Sequence, residues 1–143
     1  MIRTTFFLLL LTLTGCASLP ASQPHSSTTQ LVSAAKQAPR GIPGEFTLQI
    51  KASTLRRDTV YLTTDANLHN PTAITLVVAP DVATELTQQF GMPPQQYLLE
   101  KSVQVRGVAK RRKVAMVENG QPTNKYYQQT QIRVATRQQI TVL

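Results

Sequence analysis

The chain has 143 residues, a single cysteine, and 15 Lys and Arg against 7 Asp and Glu, giving a formal net charge of +8 at pH 7. That length suits one domain, and a lone cysteine excludes an internal disulfide framework. The basic balance favours an anionic partner without choosing among nucleic acid, membrane and glycan. The carboxylates Glu45, Asp58, Asp65, Asp81, Glu85, Glu100 and Glu118 are scattered, with no pair spaced for general acid and base work. No His, Cys or carboxylate cluster has metal-ligand spacing and no Gly-rich phosphate loop is present, so the chain reads as a non-enzyme that needs no cofactor.

The chain opens with Arg3, an apolar run from Phe6 to Leu13, and then small residues, the layout of an export signal. The apolar run is shorter than the roughly 20 residues a membrane-spanning helix needs. Leu13, Thr14, Gly15 and Cys16 resemble the lipobox of bacterial lipoproteins. The resemblance implies cleavage after residue 15, acylation of Cys16, and a membrane anchor. Two or more acyl chains hold a protein firmly, since each buried methylene contributes about 0.8 kcal/mol. Ala17 and Ser18 follow the cysteine without the aspartate that resembles an inner-membrane retention signal, which implies the periplasmic face of the outer membrane.

Residues 16–44 are rich in Ser, Thr, Pro, Ala and Gly and are expected to form a flexible tether, with His25 solvated. A short helix over Gln30 to Ala38 is compatible with the pattern, but Pro39 and Pro43 would stop it. The folded domain is expected over residues 45–143.

Within it, Phe46, Leu48, Ile50 and Ala52 alternate with polar neighbours, as do Val60 and Leu62, which predicts two half-buried strands. Asn67, Asn70 and Pro71 supply a turn with His69 as a surface residue, and Thr72 to Pro80 reads as a central β-branched strand. Pro80 and Asp81 then open a helix with Val82, Leu86 and Phe90 on one face and Gly91 at its end, Asp81 acting as its cap. Val103 and Val105 begin a long strand in which Gly107 suggests a bulge or sharp bend. Residues 118–125 read as a loop around Asn119 and Gly120. Two further strands, one from Tyr126 and one ending on Ile140 and Val142, finish the chain.

This order, strands then one short helix then strands, resembles an OB-fold, a small Greek-key barrel with its helix between the third and fourth strands. Tyr97, Lys101, Val103, Val105 and Gly107 also match the fourth-strand pattern of bacterial OB-fold domains, in which a glycine stands where this chain has Glu100. The closing residues resemble a final strand that pairs back to shut the barrel. A plain antiparallel β-sandwich is the alternative architecture.

OB-folds bind single strands or oligosaccharides by combining a basic groove with stacking aromatics. The resemblance nominates Arg56, Arg57, Tyr61, Arg106, Lys110, Arg111, Arg112 and Lys113 for anion binding, with Tyr126 and Tyr127 on the neighbouring loop. Against this, a basic run is also a device that keeps a strand edge from pairing with another chain, and a tyrosine is often core. The expected function is a lipid-anchored envelope accessory that binds or docks on another envelope component, with Gln-rich strands as contact surfaces. The alternative is binding of an oligonucleotide, anionic glycan or lipopolysaccharide by the basic face.

Overall fold

The computed structural model describes residues 28–143. The expected export signal and the lipobox-like Cys16 lie outside the described residues. The expected tether is, over its described part, folded: helix α1 (Thr28–Lys36) buries Leu31, Val32 and Ala35 against the barrel. Leu31 and Val32 lie four and three positions before Ala35, so the three share one helix face, and burial of Leu31 and Val32 contributes about 1.5–3 kcal/mol each. Its chain then turns through Gly41, at φ +83°, where an added Cβ would lie 2.6 Å from the Val108 side chain. Strand β1 (Ile42–Gln49) therefore starts before the expected boundary at residue 45.

The other strands are β2 (Ala52–Arg56), β3 (Thr59–Thr63), β4 (Ile74–Val78), β5 (Ser102–Glu118), β6 (Gln121–Val134) and β7 (Ile140–Val142). Their order across the sheet is β1-β5-β6-β4-β3-β2, with β7 also on β5. Every pairing is antiparallel except β4 with β6. The first and last strands of that path are consecutive in sequence and act as one bent strand. The Ile50 amide donates to the Lys101 carbonyl at 2.9 Å, while the next amide, Lys51, donates to the Thr63 carbonyl at 2.8 Å. At that peptide the chain leaves β5 and joins β3, so the sheet curls back on itself. The architecture is an OB-fold-like barrel.

Inside the curl lie Leu48, Ile50, Leu62, Ile74, Leu76, Val103, Ile132 and Val134, each at most 4 % exposed. Period-2 alternation puts these residues in and their neighbours out. Closure belongs to the bent first strand, and not to the chain end as the sequence suggested. Strand β7 instead continues the course of β6 along β5 after the 3-10 turn Arg137–Gln139.

The expected helix is α2 (Pro80–Phe90), ended by Gly91 at φ +72°. Its N-cap is Ala79, with no side-chain cap; Pro80 occupies the first helical turn and moves Asp81 inside it, where the carboxylate still faces the dipole. A second short helix, α3 (Pro94–Tyr97), follows, with Tyr97 stacked on Phe90 at 4.0 Å between centroids.

Two local expectations are corrected. Gly107 makes no bulge: it pairs in register with Gly44, and its Cβ would lie 2.9 Å from Ile132 Cγ2, so close packing is what excludes a side chain. The register shift falls instead between Ala115 and Val117. Residues 118–125 form no loop either: Asn119 and Gly120, at φ +51° and +76°, make a two-residue hairpin turn between strands paired to their ends. Strand β1 pairs with β5 up to Ala109 and β4 with β6 from Thr130. Beyond those limits β5 and β6 run on as a two-stranded ribbon.

Candidate ligand-binding face

Across β2, β3, β4, β6 and β5 the outward positions fall into rows. Thr54 lies opposite Tyr61, Tyr61 opposite Val77, Thr63 opposite Thr75, Thr75 opposite Gln131, and Gln131 opposite Lys110. At the start of the ribbon Arg112 faces Gln129 and Val114 faces Tyr127. These side chains share the outer face, which is concave where the ribbon leaves the barrel. A cleft of about 200 Å³ opens there, lined among others by Arg56, Tyr61, His69, Val114, Tyr127 and Gln129.

One wall of the cleft is residues 65–72, which braces itself. Asp65 accepts the Asn67 amide and the Asn70 side chain, each at 2.7 Å, and Asn67 accepts the His69 amide at 3.0 Å. Two bonds tie this loop to the sheet: Gln129 Nε2 donates to the Leu68 carbonyl at 3.2 Å, and Arg111 Nη1 donates to the Pro71 carbonyl at 3.0 Å. The result is that the His69 ring meets Tyr127 edge to face, with centroids 5.0 Å apart. Burial pushes the Tyr127 hydroxyl above its ordinary range, an effect partly opposed by the positive charge of Arg56.

The floor is polar and already organised. Gln131 Nε2 donates to Gln129 Oε1 at 2.8 Å, and the Thr63 and Thr75 hydroxyls bond each other at 3.2 Å. Gln129, 5 % exposed, is held by both of its polar atoms. The cleft thus presents ring faces, the half-exposed Thr54 hydroxyl and the half-exposed Gln131 amide over a closed polar floor of Thr63, Thr75 and Gln129, beside cations. Such a surface can stack a planar or sugar ring, hydrogen-bond its substituents and attract negative charge. Among the described residues no group of three His, Cys, Asp or Glu is placed to hold a metal ion.

The four-residue basic run divides by strand parity. Lys110 and Arg112 project on the outer, cleft-bearing face, whereas Arg111 and Lys113 project on the other. Arg111 is structural: besides Pro71 it donates to the buried Thr130 hydroxyl at 3.1 Å, and burial lowers its pKa. Lys113 lies over the Tyr126 ring at 4.3 Å on that same side of the ribbon, away from the cleft. Arg106 pairs with Glu45 at 3.3 Å, and Arg57 occupies the tip of the β2–β3 turn at φ +46°. Of the ten nominated binding residues the structure therefore gathers Arg56, Tyr61, Lys110, Arg112 and Tyr127 on one face and disperses Arg57, Arg106, Arg111, Lys113 and Tyr126.

Sequence reasoning left His69 as a surface residue, took Gln129 and Gln131 only as part of a Gln-rich contact strand, and passed over Arg133. The signal for the last three is the alternation Tyr127, Gln129, Gln131, Arg133, every second residue of one strand. His69 had none, because only the fold carries its loop across to Tyr127.

No family model matches the chain, and no curated protein does. Among solved structures, the chain is similar to an aspartyl-tRNA synthetase from Entamoeba histolytica, at TM-score 0.41 and 15% identity over 75% of this chain and 20% of that one. It is similar also to an aspartyl-tRNA synthetase of Leishmania major Friedlin, at TM-score 0.41 and 11% identity over 88% of this chain and 23% of that one. The chain spans about a fifth of the length of these proteins. Similarity at that level carries no argument about what this chain binds.

Proposed function

We propose that this chain is a lipid-anchored envelope protein whose barrel binds an acidic oligosaccharide on its outer face and performs no chemistry on it. The observation that supports the binding half is the cleft in which Tyr61, Tyr127 and His69 surround an amide and hydroxyl floor, with Arg56 at its edge. Amides and hydroxyls satisfy the many hydroxyls of a sugar, an aromatic wall covers its apolar face, and the cations answer its charge. The envelope half rests on the lipobox-like Leu13 to Cys16.

The test is titration of the full chain, kept in a polyoxyethylene detergent, with acidic oligosaccharides at low and high salt. Binding should weaken as salt rises, and Tyr127→Ala should weaken it about tenfold, the scale of one stacking contact. Salt-insensitive binding, or an unchanged Tyr127→Ala variant, would sink the reading. For the anchor, Cys16→Ser should release the protein from membranes; retention would contradict it.

One observation favours docking on a protein as a second reading. The ribbon formed by β5 and β6 beyond the barrel has both edges unpaired among the described residues, and it exposes Val117 and Tyr126. Crosslinking in membranes should then recover a stoichiometric partner through the ribbon. An unchanged crosslinking pattern after shortening the ribbon would argue against it.

A further inference from the structure

Beside the aromatic cleft, on the same outer face, lies a second and wider hollow of about 490 Å³. Val77 and Gln131 line both, so the two are continuous. The second hollow carries Lys110, Arg112 and Arg133. Lys110 and Arg112 alternate on β5, about 6.8 Å apart along the strand. Arg133 stands diagonally across from Lys110 on β6, at about 7–8 Å between backbones. Arg112 and Arg133 flank Lys110 from opposite sides with their backbones about 14 Å apart, so a small group held above Lys110 is within reach of both extended guanidinium groups.

Among the described residues no carboxylate neutralises them. Among the described residues the ion pairs are Lys51 with Glu100 and Arg106 with Glu45, and no carboxylate lies within ion-pair distance of Lys110, Arg112 or Arg133. No carboxylate lines the hollow either. Like charges gathered without a counter-charge repel one another, a standing cost that an anion would remove. The backbone beneath is held still: Gln139 Nε2 donates to the carbonyls of Arg106 at 2.9 Å and Arg133 at 3.0 Å, while its Oε1 accepts the Ala135 and Thr136 amides.

Resting on the oligosaccharide reading above, we infer that this hollow is a phosphate subsite, and that the ligand is a phosphorylated oligosaccharide. Its sugar ring sits against Tyr127 and its phosphate among Lys110, Arg112 and Arg133. A carboxylate has one charge and two oxygens, which a single arginine fork satisfies. A phosphate monoester carries about 1.5 to 2 charges and three acceptor oxygens, which matches three cations and leaves none idle.

Two titrations of the full chain in detergent separate this inference from the reading it rests on. In the first, inorganic pyrophosphate is added and backbone amide shifts are followed. Saturable changes centred on Lys110, Arg112 and Arg133 are expected, absent in the triple variant Lys110→Gln/Arg112→Gln/Arg133→Gln. Changes spread evenly over the surface, or equal in the triple variant, overturn the subsite. In the second, one oligosaccharide is compared with and without its phosphate. The phosphate should tighten binding at least about tenfold in the wild-type chain and not at all in the triple variant.

Sugar binding that ignores the phosphate would overturn the subsite and leave the general reading standing. Pyrophosphate saturation without any sugar binding would keep the anion site and overturn the oligosaccharide. Tighter binding of a single-stranded oligonucleotide than of the phosphorylated sugar would reassign the ligand class. The triple variant should unfold at or slightly above the wild-type urea concentration, since it loses no ion pair and sheds the repulsion among the three cations, and this separates loss of binding from loss of fold.

Discussion

Arg111 and Arg112 are adjacent, equally basic and, on this structure, opposite in role, so a pair of single substitutions separates stability from binding. Arg111→Ala removes bonds to the Pro71 carbonyl at 3.0 Å and to the Thr130 hydroxyl at 3.1 Å, and Thr130 is 0 % exposed. A hydrogen bond from a charged donor contributes about 1.5–3 kcal/mol when buried. The Pro71 side faces solvent, where water can replace the guanidinium, so the smaller share comes from there. The sum is about 2 kcal/mol, most of it from the Thr130 hydroxyl. Arg112→Gln removes no hydrogen bond or ion pair among the described residues and should fall within about 0.5 kcal/mol of wild type. Urea unfolding with a common slope reads both as shifts of the midpoint. Should Arg111→Ala unfold at the wild-type midpoint, or Arg112→Gln lose as much, the assignment of the two arginines to opposite faces is wrong.

Three other outcomes follow from single features. Gly107→Ala should destabilise by about 1–2 kcal/mol through its 2.9 Å approach to Ile132 Cγ2, and the loss should shrink in an Ile132→Ala background, as a double-mutant cycle would measure; additive losses would rule the clash out. Glu100 sits at φ +64°, so Glu100→Gly should relieve a left-handed strain of about 1–2 kcal/mol, less the exposed Lys51 ion pair at 3.2 Å and the greater freedom of an unfolded glycine. The net in urea melts should be neutral to about 1 kcal/mol stabilising, and any clear destabilisation refutes the account. Because burial raises the Tyr127 pKa, the unfolded chain loses that proton first as pH rises. The contribution is intact below about pH 10 and is lost above it. The difference in stability between wild type and Tyr127→Phe should therefore be flat below that pH and change only above it.

What the sequence disclosed and what it hid divide along one physical line. Period-2 alternation at Phe46, Leu48 and Ile50, and again at Val103 and Val105, is a local signal, and it located the barrel strands. The Asn119–Gly120 pair announced its turn for the same reason, although the strands on either side proved to be paired right up to it. Hidden features depend on contacts between distant residues. The bent strand changes partners at Ile50 and Lys51, where no local pattern marks a break. Leu31 and Val32 look too few to fold a Ser- and Pro-rich segment, and they are buried because the barrel supplies the other half of the contact. Glu100 stands at φ +64°, a left-handed backbone that glycine favours and that a glutamate does not announce. Within the site, parity along β5 was readable, yet the basic run was treated as one patch; counting alternate residues separates Lys110 and Arg112 from Arg111 and Lys113.

The bent strand has a consequence in time. The β5–β6 hairpin closes over two residues and can form within about 1–10 microseconds. Residues of β1 and β5 that pair are separated by on the order of sixty positions, and such long loops close slowly because their entropy is lost before any contact rewards it. The β4–β6 pairing spans a similar separation, but β4 is held on both edges, by β3 and β6, while β1 pairs with β5 alone, so β1 should lift away first, taking Phe46 and Leu48 with it and briefly wetting the barrel interior. Amide exchange faster at Leu48 than at Leu76 or Ile132 would show that order directly. The outer face built on β3, β4 and β6 would keep its shape through such an opening, so a ligand held there could ride out the breathing of the barrel beneath it.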